Sequence, residues 1–133
     1  MVRLKCRYLG LRWTGAPNLG RDDLELAVRR AISDVVEPRL RDLYFDQTTV
    51  TLVVPRFSFG LVRVHTSIKG PFIRDVVPHV LLSGGTGVHL VHVSGSVVQM
   101  TRWVVPVFAQ EIERGMAQHH NGKTLGLSTA YAP

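Results

Sequence analysis

A single cysteine, Cys6, stands in 133 residues, which excludes an internal disulfide and suits a reducing compartment. No run in the chain approaches the roughly 20 apolar residues that a membrane-spanning helix needs. The opening Met1-Val2-Arg3-Leu4-Lys5-Cys6-Arg7 is too polar for a secretory signal, so a soluble intracellular protein is expected. No Gly-x-Ser-x-Gly elbow occurs, and Gly84-Gly85-Thr86-Gly87 lacks the following lysine of a phosphate loop. Acid is scarce as well. No Asp or Glu precedes Asp22, and none falls between Asp46 and Asp75.

What remains is basic and unevenly so. The net charge is +6, yet seven of the ten acids lie between Asp22 and Asp46, where four arginines leave a window of −3. The rest of the chain therefore carries +9. A basic surface set apart from one mixed, acid-bearing helical region suits a polyanionic partner; the bland reading is arginines held in solvent. With 45% hydrophobic residues the chain is the size and composition of one domain with its own core.

Residues 7–13 alternate, with Leu9, Leu11 and Trp13 on one face and Tyr8, Gly10 and Arg12 on the other, which predicts a first strand. Leu24, Ala27, Val28, Ala31, Ile32 and Val35 form one helical stripe, with Asp22, Asp23 and Glu25 in its first turn where the helix dipole favours negative charge. Pro38 kinks or ends that helix, with a second short piece through Tyr44 as the further expectation. Strands are predicted over 48–54 and 60–66, the latter with Val62 and Val64 inward and Arg63 and His65 opposite. Gly70-Pro71 opens a second helix, with Phe72, Val76 and Val80 on one edge and Ile73, Val77 and Leu81 on the next. Val88 to Val93 is a fourth strand, and a long apolar stripe from Met100 to Ile112 a third helix, bent at Pro106.

The order β-α-β-β-α-β-α predicts an α+β, ferredoxin-like α-β sandwich with a four-stranded antiparallel sheet. The third helix needs an apolar surface, so the sheet is expected to be covered on both faces. One domain is expected over 1–115, with a loose tail over 116–133.

Catalytic and metal chemistry finds little support. His89 and His92 are three apart on a predicted strand, which aims them at opposite faces, and the other histidines have no ligand spacing; no metal and no cofactor are expected. Cys6 lies between two cations, but no recognisable base accompanies it. Arg56-Phe57-Ser58-Phe59-Gly60-Leu61-Val62 departs from the octamer of a base-stacking RNA motif. Ser94-Gly95-Ser96 joins the last strand to the last helix; either serine can cap that helix, and the exposed N–H groups there can also seat a phosphate.

Three segments together resemble the Pop-five/Rpp-fourteen family, the small protein subunits of archaeal and eukaryotic ribonuclease P and RNase MRP. Met1-Val2-Arg3-Leu4-Lys5-Cys6-Arg7-Tyr8-Leu9 is similar to the family's opening, Gly60-Leu61-Val62-Arg63-Val64 to its third strand, and Val93-Ser94-Gly95-Ser96-Val97 to its joint. The resemblance implies a non-catalytic RNA-binding subunit of a ribozyme that trims the 5′ leader of precursor tRNA, with ribosomal RNA precursors as a further substrate class. It implies that the RNA carries the chemistry, and that a barrel-shaped Rpp-thirty-type subunit and other particle subunits are partners. It also implies a nuclear or nucleolar location, or cytoplasmic in an archaeon. By this likeness Arg3, Lys5, Arg7, Tyr8, Arg63, Ser94 and Gly95 contact RNA, with Lys69, Ser96 and Arg102 added as neighbouring candidates. The chain departs from the family after the joint, where Val98 and Gln99 replace basic residues, and entering helix two, where only Lys69 and Arg74 are basic. Phe72 and Ile73 are the candidates for a partner-protein surface. The alternative is a ferredoxin-like protein-interaction module with no RNA role.

Overall fold

The computed structural model describes residues 5–15 and 19–124, the side chains of 83 and 115–124 excepted. In chain order the elements are β1 (Cys6–Arg12), α1 (Arg21–Val35), α2 (Pro38–Asp46), β2 (Thr48–Val54), β3 (Phe59–His65), α3 (Thr66–Pro71), β4 (His89–Ser94) and α4 (Val97–Thr124). Contacts group residues 1–100 and 101–133 into two compact units. Helix α4 runs on to Thr124, past the start of the tail expected at 116, and 125–133 lie outside the described residues.

The four strands form one antiparallel sheet in the order β2-β3-β1-β4, the expected α+β arrangement with helices packed on it. Alternation in β1 works as predicted: Leu9, Leu11 and Trp13 enter the hydrophobic core, as do Val62 and Val64 of β3. The stripe Leu24, Ala27, Val28, Ala31 and Ile32 of α1 is buried against them. Asp23 Oδ2 accepts the Gly20 N–H at 2.9 Å, closing the first turn of α1. Of the two outcomes expected at Pro38, the helix ends rather than kinks. Helix α1 stops at Val35, and proline opens α2, where its missing N–H costs nothing.

The second predicted helix differs most. It begins at Thr66, because His65 caps it: Nδ1 accepts the Ser67 N–H at 3.0 Å. Pro71 then lies inside the helical stretch and lacks an N–H, and the backbone widens into a π-helical turn over Phe72–Val76 before a 3₁₀ turn at Val77–His79. That path carries Phe72, Val76 and Val80 fully into the core, while Ile73 packs at its margin. Phe72 therefore offers no surface to a partner, which corrects one member of the expected docking pair, while Ile73 is half-buried.

A second correction concerns β4. Leu9 faces Val93 and Gly10 faces His92, but Leu11 faces Leu90 and Arg12 faces His89, so one residue is extra and a bulge forms. Facing residues share a side of the sheet, so His89 and His92 lie on the same face as Gly10 and Arg12. Strand β2 carries a similar shift between Val50 and Leu52. Among the described residues no cluster of three His, Cys, Asp or Glu is placed to hold an ion.

Two glycines let layers meet closely. A Cβ at Gly60 would lie 2.5 Å from Leu24 Cδ2 and 3.1 Å from the Trp13 ring, so α1 rests directly on the β3 backbone. On the second face, a Cβ at Gly10 would lie 3.0 Å from Phe59 Cε1 and 3.4 Å from Met100 Sδ. Phe59 and Leu61 are buried on that second face too. Gly60→Ala is expected to destabilise the fold by about 1–3 kcal/mol through overpacking, and Phe72→Ala by about 3–5 kcal/mol through cavity formation. Urea denaturation reads both, and an unchanged midpoint for Phe72→Ala would contradict its place in the core.

Candidate nucleic-acid interface

None of the four strands contains an acidic residue. They carry Arg7, Arg12, Arg63, His65, His89 and His92, while every acid of residues 1–100 lies on or beside the helices. The second sheet face is thus free of carboxylate on its strands, and alternation places Tyr8, Arg63 and Ser94 there beside the buried Phe59 and Leu61.

One cross-strand row spans that face. Thr49 of β2 faces Arg63 of β3, Arg63 faces Tyr8 of β1, and Tyr8 faces Ser94 of β4. Thr49 and Arg63 are exposed, Tyr8 is half-buried and Ser94 is buried. Among the described residues the Arg63 side chain has neither a hydrogen bond nor an ion pair, so its guanidinium is held by the strand and free to meet an anion. The neighbouring row sets Cys6 opposite His65. There His65 Nδ1 lies 2.8 Å from Ser67 Oγ, and that hydroxyl donates to Gln47 Oε1 at 2.9 Å. This polar chain fixes the rim of the face beside Arg63.

Ser94, Gly95 and Ser96 continue from the row into α4. Ser96 Oγ accepts the Gln99 N–H at 3.2 Å, and Gln99 Oε1 accepts the Gly95 N–H at 3.1 Å. The reciprocal pair is a variant of the capping box, with the glutamine reaching one residue further back. Gly95 therefore does not present its N–H to a phosphate; Gln99 holds it. The Ser94 hydroxyl is different, being buried with no partner among the described residues. A buried hydroxyl without a partner carries a desolvation cost of about 1–3 kcal/mol.

The sequence-predicted residues separate as follows. Tyr8, Arg63 and Ser94 come together in the row, with Gly95 and Ser96 adjoining it. Lys5 is exposed just before β1, its carbonyl accepting the Thr66 N–H at 2.9 Å. Arg7 faces Val64 and so lies on the helix side of the sheet, across from Tyr8; its Nη1 donates to the Cys6 carbonyl at 2.9 Å. Lys69 is half-buried in the last turn of α3. Arg102 is exposed in the second compact unit. Arg3 lies outside the described residues. Arg74, the other cation of helix two, forks onto Asp75 with bonds of 3.0 and 2.8 Å. That hydrogen-bonded pair, more than charge alone, holds the Asp75 carboxyl below its ordinary range and engages the guanidinium.

Thr49, Gln47 and Gln99 are members of this surface that sequence reasoning passed over. Ser96-Val97-Val98-Gln99 carried the capping-box signal for Gln99. No local signal marks Thr49, which joins the row only through strand pairing. Ser96→Ala is expected to cost about 1 kcal/mol by removing the cap. Chemical denaturation measures it, and a cost within error would show that Gln99 alone sustains the helix start. No protein-family model and no curated protein matches this chain, so its own geometry and chemistry are what speak for its function.

Proposed function

We propose that the chain is an RNA-binding, non-catalytic subunit of a ribonuclease P or RNase MRP particle. The observation that supports this reading is the acid-free sheet face, with exposed Arg63 beside Tyr8 and in line with Ser94. Those three positions are among the seven that the resemblance to the Pop-five/Rpp-fourteen family selects. A guanidinium on a strand neutralises and orients a phosphate without reading sequence, which suits a protein that supports a folded catalytic RNA. Tyr8 supplies an aromatic surface and a hydroxyl next to that charge.

In this reading the chemistry of 5′-leader removal belongs to the RNA, and the chain steadies the RNA or the precursor tRNA. The joint works chiefly as a helix cap, and the positive end of the helix dipole there favours a phosphate as a second role. An Rpp-thirty-type subunit and other particle proteins are the proposed partners, in a nuclear or nucleolar setting, or in archaeal cytoplasm. Ribosomal RNA precursors are a further substrate class of the same reading.

Sequencing the RNA that co-purifies with a tagged copy from its native cells tests this. One enriched, structured RNA is expected. Arg63→Ala should lower its recovery and reduce the salt slope of binding by about 0.7–0.9, the value of one phosphate contact, with stability changed by less than about 0.5 kcal/mol. Background RNA alone, with a stable protein partner retained, would overturn the reading and leave a protein-interaction module.

A further inference from the structure

On the opposite side of the sheet, a cleft of about 330 Å³ opens between α1, the end of α2 and the start of β2. Val28, Ile32, Phe45 and Val50 form its apolar walls, and Glu25, Arg29 and Asp46 its charged lining. The one cation is engaged: the Arg29 guanidinium lies over the Phe45 ring, 5.1 Å from its centre. Neither Glu25 nor Asp46 has an ion pair or hydrogen bond among the described residues, and Glu25 is half-buried. Thr48, which also lines the cleft, has a buried hydroxyl with no partner.

The strand beside this cleft is an edge. Among the described residues β2 pairs only with β3, and Thr48–Val54 holds neither a charge nor a proline to block an added strand. Thr49, Thr51 and Leu52 are exposed along it. Thr48 and Val50 face Val64 and Val62, which are core residues, so alternate side chains of any segment laid on this edge point toward α1 and the cleft.

We propose that this cleft binds a lysine or arginine side chain carried on an extended segment of a partner protein. The apolar walls take the aliphatic stem, and Glu25 and Asp46 take the charge. An acidic segment is disfavoured by the same two carboxylates. The site stands apart from the RNA reading, because it lies on the helix side of the sheet and has the opposite charge requirement.

The test is an NMR titration of the full chain with the capped peptide acetyl-Val-Arg-Val-Arg-Val-amide and its glutamate counterpart. The arginine peptide is expected to shift the amides of Glu25, Arg29, Asp46 and Thr48–Val50, and the glutamate peptide to leave them in place. Glu25→Gln combined with Asp46→Asn, which keeps shape and removes charge, should weaken binding on the order of tenfold while the remaining spectrum stays native. Absence of shifts at millimolar arginine peptide, equal response to both peptides, or shifts centred on Tyr8 and Arg63 instead would each overturn the proposal.

Discussion

The register of β1 against β3 decides what each face of the sheet carries. Leu9 faces Val62 and Tyr8 faces Arg63. Because side chains alternate with a period of two, a slip of one residue would send Arg63 into the core and Val62 into solvent. The close seat of Leu24 and Trp13 over Gly60 pins this register, since only the residue without a side chain fits beneath them. Helix α1 thus locks the sheet, and the locked sheet displays Arg63.

Charge follows from the same geometry. Acids favour the first turns and outer faces of helices, where the dipole and solvent accommodate them, and here they stay on the helix layer. On their second face the strands add basic and neutral polar residues, Arg63, Tyr8, His92 and Ser94 among them, to the buried Phe59 and Leu61. Two surfaces of unlike preference result on one small scaffold. The sheet face suits polyanions, and the margin between α1 and β2 suits cations. The proposed RNA partner and the proposed basic protein segment each call on one of them.

Much of this was legible in the sequence, where short-range patterns dictate structure. The alternation at Leu9, Leu11 and Trp13, the α1 stripe, and the opposition of Val62 and Val64 to Arg63 and His65 all carry into the fold. What escaped depends on long-range pairing or on proline's effect on backbone register. The bulge in β4 reverses the simple parity argument for His89 and His92, and it exists only because β1 is its partner. Pro71 read as a helix start, yet the His65 cap lies upstream and the proline instead widens the helix into a π turn, which turns Phe72 inward. Of the candidate residues that the resemblance selects, Tyr8, Arg63 and Ser94 share one cross-strand row. Arg7, which the resemblance also selects, alternates with Tyr8 and so lies across the sheet. Thr49 had no local signature at all.

The two bulges also give the sheet unequal tolerance to changes in chain length. Thr51 in β2 and Val91 in β4 are the residues passed over where the ladder shifts, between the pairs Val50–Val62 and Leu52–Leu61 and between Gly10–His92 and Leu11–Leu90. Loss of either would restore a regular ladder with every remaining side chain on its present face. The β1–β3 ladder has no such spare residue, and a deletion there would exchange the two faces from that point onward. The outer strands can shorten while the inner pair keeps its count.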